Sequence, residues 1–171
     1  GGELHIQGNG NLSTVHLGGI TSVGGNLYLQ HLLNINSITG LQPSTVGGSL
    51  SISTTGLTSF SAFQNLTSVN GFVFMQYNHA LTSLSGLSAL TSINGYLGIY
   101  NNNSLTSLAG LNNLTSGIMG LYIQNNTSLA SCELSNLCSY LSNSSETHPR
   151  TISGNKTGGN CVNQAAVLAL C

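Results

Sequence analysis

The chain has 171 residues, of which 40% are hydrophobic but only 3% are charged, and its formal net charge is -1. Glu3 is the only acidic or basic residue before Glu133, and the others are Glu146, Arg150 and Lys156, so Leu4 to Cys132 carries no Asp, Glu, Lys or Arg. Such a chain has no basic patch for nucleic acid, no paired carboxylates for acid–base chemistry and no oxygen cluster for a hard metal, and the expectation is no cofactor, no metal and no catalytic residue.

No apolar run reaches the ~20 residues of a membrane-spanning helix, so no membrane insertion is expected. The opening Gly-Gly-Glu-Leu-His is not a signal peptide, and reads as the start of a mature or trimmed secreted form.

Taken in order, the chain repeats itself. Short alternating strands are predicted around Leu4/Ile6, Leu27/Leu29, Leu50/Ile52, Val73/Met75, Leu97/Ile99 and Leu121/Ile123, at spacings of 23, 23, 23, 24 and 24 residues. Gly24-Gly25, Gly47-Gly48, Asn70-Gly71 and Asn94-Gly95 precede four of them, as expected of corners that need positive φ. Five residues after the first strand residue stand Asn9, Asn78, Asn102 and Asn126, with Leu32 and Thr55 at the equivalent places. A buried turn leaves backbone groups unpaired, and an inward amide supplies both donor and acceptor. We therefore expect a structural Asn ladder, broken or replaced by a hydroxyl at Leu32 and Thr55. Later in each coil apolar residues fall at every third place, as in Leu57, Phe60, Phe63, Leu66 and Val69 or Leu105, Leu108, Leu111 and Leu114. That period is too tight for an α-helical stripe and predicts short extended or 3₁₀ segments.

The resulting L-x-L-x-x-N-x-x-L pattern resembles the leucine-rich-repeat superfamily, in the form of receptor L-domain-like repeats of secreted and surface proteins. Residues 70–117 carry the N-x-x-L-T-S-L-x-G-L-x-x-L-T-S-I-x-G unit almost continuously, and residues 1–132 follow it more loosely. The resemblance implies a right-handed parallel β-solenoid of about six coils, a secreted or cell-surface location and a binding or structural role. It transfers no catalytic residue and names no ligand.

After Leu129 the pattern changes. Leu134, Leu137, Cys138 and Leu141 fall at helical spacing, a polar loop runs from Ser142 to Asn160, and Val162 to Leu170 reads as a second short helix. The expected division is thus a solenoid over 1–132 and a C-terminal cap over 133–171. No equivalent cap pattern precedes the first coil, so the solenoid is expected either to be truncated there or to stack, through residues 1–23, on a preceding module or on another copy of itself. Cys132, Cys138, Cys161 and Cys171 all lie at or within the cap, without the spacing of a zinc site, and read as two disulfides. Three connectivities are open; we favour bonds joining the Cys132–Cys138 segment to the Cys161–Cys171 segment.

Outward strand positions form the first candidate surface. Tyr28, Phe72, Phe74, Tyr96, Tyr100 and Tyr122 fall there, beside Gln76 and Gln124. Aromatics next to amides suit sugar stacking or a protein contact; equally, aromatics favour exposed strand positions and shield a sheet. Phe72 and Phe74 on one strand favour an interface. A second candidate is hydroxyl columns, Thr21, Ser44, Thr67, Thr91 and Thr115, and Thr58, Thr82 and Thr106, which fit either ice binding or satisfaction of corner backbone groups. Sequons stand at Asn11, Asn65, Asn102, Asn113, Asn125, Asn126, Asn143 and Asn155. Asn102 and Asn126 belong to the ladder, whereas Asn11, Asn65, Asn113, Asn143 and Asn155 are open to N-glycosylation in a eukaryotic source. The five histidines share no ligand spacing. The expectation is a non-enzymatic extracellular repeat protein for adhesion or surface assembly, with itself or other surface proteins as partners. A module binding a glycan or a protein is the alternative, and an ice-binding protein a lesser one.

Overall fold

In the computed structural model, which describes residues 2–132, 135–143 and 147–171, each coil adds to a growing parallel stack. On one side these are β1 (Leu4–Gln7), β3 (Leu27–Leu32), β5 (Leu50–Thr55) and β7 (Val73–Gln76). The other side is laid by β2 (Thr14–Val23), β4 (Ser37–Val46) and β6 (Ser68–Val69). Two longer strands, β8 (Ser92–Tyr100) and β9 (Ser116–Gln124), turn the corner between the sides. Thus β8 begins opposite β6, with Ser92 beside Ser68, and ends opposite β7, with Leu97 beside Val73. The architecture is a mainly β parallel solenoid of about 5 turns with few helices.

The register is the one the repeat predicts. Leu4 pairs with Leu27, Leu27 with Leu50, Leu50 with Val73, Val73 with Leu97 and Leu97 with Leu121. Because strand side chains alternate, this register drives Leu27, Leu29, Leu50, Ile52, Val73, Met75, Leu97, Ile99, Leu121 and Ile123 into one fully buried column. The every-third apolar residues complete the core from the opposite side. In the middle coils they flank single 3₁₀ turns at Ser61–Phe63, Ser85–Leu87 and Ala109–Leu111, while the first two coils use the long strands β2 and β4 instead.

The Asn ladder runs through the core and is longer than expected at one end. Asn78 Nδ2 donates to Ile52 O at 2.9 Å, Asn102 Nδ2 to Met75 O at 3.0 Å and Asn126 Nδ2 to Ile99 O at 3.0 Å. Each Oδ1 accepts from the coil before: Asn78 N to Asn102 Oδ1 at 3.0 Å, and Asn102 N to Asn126 Oδ1 at 2.9 Å. Thr55 substitutes a hydroxyl, which donates to Asn78 Oδ1 at 2.8 Å. Leu32 is buried without taking part. Two assignments need correction. Asn9 is exposed, and its amide reaches only Gln7 O of its own turn, so it is no rung. Asn155, expected to be open to a glycan, is instead the last rung. It is buried, accepts from Asn126 N at 3.0 Å, and commits Nδ2 to Ile123 O and Cys161 O.

That rung follows two residues after a strand the sequence hid. Within the expected polar loop, β10 (Arg150–Ser153) pairs in parallel with β9, Ile152 lying opposite Ile123. The solenoid sheet therefore passes beyond residue 132 and into the cap.

The corner glycines also act differently from expectation. Gly25, Gly48, Gly71 and Gly95 do not have positive φ; a Cβ at Gly71 would overlap Ser49 Oγ, and one at Gly95 would lie 2.9 Å from the Gly71 carbonyl carbon. They allow coils to approach closely. The left-handed residues form another column, immediately before the ladder position: Gly8, His31, Thr54, Tyr77, Asn101, Asn125 and Gly154, with φ between 53° and 71°.

The cap consists of a 3₁₀ turn at Ser135–Leu137, α1 (Cys138–Ser142) and α2 (Gln164–Leu168). Asn163 caps α2, accepting from Ala166 N at 2.8 Å. Leu134 lies outside the described residues. Arg150 Nη1 donates to the carbonyls of Tyr140, Leu141 and Asn143, satisfying the end of α1. Disulfides join Cys132 to Cys161 and Cys138 to Cys171, with Cα separations of 5.1 and 5.6 Å. Both join the two cap segments, and two such bonds point to an oxidising compartment. No helix among the described residues is long and apolar enough to cross a membrane.

Candidate functional site

The parallel register lines up the outward residues in rows across the coils. One row reads His5, Tyr28, Ser51, Phe74, Gly98, Tyr122 and Thr151, and the next reads Gln7, Gln30, Ser53, Gln76, Tyr100, Gln124 and Ser153. Five of the six predicted aromatics meet in one patch over β7, β8 and β9. Phe72 and Phe74 stack at 4.7 Å between ring centroids, Phe74 meets Tyr100 edge-on at 6.2 Å, and Tyr122 lies 6.1 Å from both Tyr100 and Tyr96. Tyr28 is not part of it. It packs edge-on against His5 at 4.5 Å, and the serine strand β5 separates it from Phe74.

Two glycines that sequence reasoning passed over make this patch possible. A Cβ at Gly98 would overlap the rings of Tyr100 and Phe74, and one at Gly120 would overlap the ring of Tyr96. The rings fill slots left empty on the sheet. The available signal was glycine at outward positions in strand interiors beside aromatics, a place where glycine otherwise weakens a strand.

The patch is apolar in body and polar at its tips. Tyr96 is 39% exposed, while Phe72, Phe74, Tyr100 and Tyr122 are half-buried. Burial, and then the neighbouring Tyr122 phenol, raise the pKa of Tyr100 above its ordinary value. Gln124 Nε2 donates to Ser153 Oγ at 3.2 Å and Gln30 Nε2 to Ser51 Oγ at 3.2 Å, which ties both amides down. The Gln76 amide and the hydroxyls of Tyr96, Tyr100 and Tyr122 make no hydrogen bond to the described residues.

The other candidates are largely accounted for by the scaffold. In the hydroxyl columns Ser44 Oγ donates to Thr21 O, Thr67 Oγ1 to Ser44 O at 2.9 Å, Thr91 Oγ1 to Thr67 O at 3.1 Å and Thr82 Oγ1 to Thr58 O. These four donors are spent on coil-to-coil bonds. Among the sequons, Asn102, Asn126 and Asn155 are buried, whereas Asn11, Asn65, Asn113 and Asn143 are exposed. Among the described residues no three His, Cys, Asp or Glu side chains converge as a metal site.

Comparison with protein families, curated proteins and solved structures yields no match.

Proposed function

We propose that this chain is a non-enzymatic extracellular repeat protein that works by contact, as an adhesive module or as a structural subunit of a surface assembly, through its aromatic strand face. The observation that carries this reading is a contiguous five-ring patch on a body with no charge from Leu4 to Cys132. Exposed apolar patches mark contact surfaces, and a soluble monomer normally keeps surface charge that opposes association. The two disulfides support a secreted or cell-surface location. The strand pattern with its buried Asn ladder supports relationship to the leucine-rich repeats.

Multi-angle light scattering tests the assembly half. The unmodified chain is expected to associate as concentration rises, and Phe72→Ser with Phe74→Ser to remain monomeric. A chain that stays monomeric throughout, or a double variant that associates equally well, removes lateral assembly from the reading.

A further inference from the structure

We propose that the tyrosine half of the aromatic face, over Tyr96, Tyr100 and Tyr122 with Gln76 at its edge, is a binding platform for a neutral glycan. This rests on the reading that the face is a contact surface, and adds the chemical class of what it contacts. Three observations carry it.

The first is shape. With no side chain at Gly98 or Gly120, the rings settle into slots on the sheet. The Tyr96 ring covers Gly120 and remains 39% exposed. An aromatic ring with one side on backbone and accessible surface beyond it offers a π-face to the C–H side of a pyranose. The platform spans β7, β8 and β9, about 10 Å at the ordinary strand spacing, which accommodates about two sugar rings.

The second is unspent polarity. Three phenol hydroxyls and the Gln76 amide ring the platform and bond to none of the described residues. Groups that both donate and accept match sugar hydroxyls. The Phe72/Phe74 half offers no such groups and suits an apolar protein contact better.

The third is charge. The three strands and the turns joining them contain no Lys, Arg, Asp or Glu. An anionic glycan would meet no compensating cation there, and a cationic one no carboxylate, so the matching ligand is uncharged.

Affinity electrophoresis tests this with the full chain, in gels containing laminarin, hydroxyethylcellulose or galactomannan, against heparin and polygalacturonate. At least one neutral polysaccharide is expected to retard the chain, and neither anionic one. Tyr96→Ala and Tyr122→Ala should each weaken retardation about tenfold, the loss of one ring contact, while Tyr28→Ala leaves it unchanged. Tyr100→Phe keeps the ring and removes a hydroxyl, so a partial loss with an unaltered far-ultraviolet dichroism spectrum and urea midpoint shows that the effect is not unfolding. The proposal is overturned if no neutral polysaccharide retards the chain, if the anionic ones retard it equally, or if Tyr28→Ala weakens retardation as much as Tyr96→Ala. Light scattering on the same samples separates this from the wider reading. Association without glycan retention overturns the glycan platform and leaves the assembly reading standing. Retention by a strictly monomeric chain supports the platform and removes assembly.

Discussion

Replacing Asn102 with Ala should be among the most damaging single changes in this solenoid. Its Oδ1 accepts from Asn78 N at 3.0 Å and from Asn78 Nδ2 at 3.2 Å, while its Nδ2 donates to Met75 O at 3.0 Å and to Asn126 Oδ1 at 3.2 Å. All three asparagines are fully buried, so water cannot replace what is lost. The change leaves the Asn78 N–H without its acceptor and takes a donor from the Met75 carbonyl. At about 1–3 kcal/mol for each orphaned buried group, the loss should be about 4 kcal/mol. With a urea m-value of about 2 kcal/mol per molar, the midpoint should fall by about 2 M. The assay is urea unfolding of the oxidised chain, followed in parallel by far-ultraviolet dichroism and tyrosine fluorescence. Two controls fix the interpretation. Asn102→Thr imitates the hydroxyl rung at Thr55 and should cost about half as much, because a hydroxyl restores one bond and not both. Asn9→Ala removes an exposed asparagine outside the ladder and should stay within about 0.5 kcal/mol. If Asn102→Ala moves the midpoint no further than Asn9→Ala, the ladder is not a stabilising device and the reasoning fails.

Thr54 is β-branched yet held at φ 55°, so Thr54→Asn, copying Asn101 and Asn125 in the same column, should raise stability by about 1 kcal/mol; a lowered melting temperature would contradict the strain. Gly98→Ala should push Phe74 and Tyr100 out of their slot, cost about 1–3 kcal/mol and alter the near-ultraviolet dichroism of the tyrosines. Burial, and next the Tyr122 phenol, raise the pKa of Tyr100 above 10.0 in the fold, so the unfolded chain loses that proton first. Its contribution is fully present below pH 10 and is lost as pH rises through the folded pKa; Tyr100→Phe should flatten that alkaline fall in a titrated melting series. Expressed through a eukaryotic secretory pathway, the chain should show glycans by peptide mass mapping only among exposed sequons such as Asn65 and Asn113. Asn102, Asn126 and Asn155 should be bare, and occupancy at Asn155 would refute its place as a rung.

Much of the scaffold is legible because the repeat imposes it. A period of 23 or 24 residues with alternating strand residues leaves one parallel register, and Leu4, Leu27, Leu50, Val73, Leu97 and Leu121 fall into it. Four cysteines at or within the cap make two disulfides readable, and of the three connectivities left open the bonds formed join the favoured segments, Cys132 to Cys161 and Cys138 to Cys171. What stays hidden has specific physical causes. β10 contains one buried apolar residue, Ile152, in a polar setting, so no periodicity marks it. Its Ile152-Ser-Gly-Asn155 does repeat the Ile99-Tyr-Asn-Asn102 spacing, but 29 residues rather than 24 separate the last two rungs. The left-handed column escapes notice because Thr54 and Tyr77 are residue types that rarely adopt that conformation. At the candidate site the aromatics are readable one by one, but not their grouping, since that depends on what the neighbouring coil places beside each ring.

That dependence is what separates the aromatic face from the hydroxyl columns. A parallel stack puts in-register outward side chains about 4.8 Å apart, so broad rings cannot all lie down unless some neighbours are absent. Glycine in a strand interior costs about 0.5–1 kcal/mol relative to alanine, and Gly98 and Gly120 occupy such places in adjacent coils. The ring contacts they permit contribute about 0.5–1.5 kcal/mol each, which roughly offsets that cost. For the fold, then, the exchange of two side chains for a ring cluster is close to neutral. What it changes is the surface, which becomes broad and aromatic over three strands instead of a ridge of alternating side chains. The threonine and serine columns have the opposite character: Ser44, Thr67, Thr82 and Thr91 each donate to the preceding coil, so the scaffold itself accounts for these hydroxyls. A feature that stability explains needs no further role. One that stability leaves near balance, and that reshapes a charge-free face, is where function is to be sought.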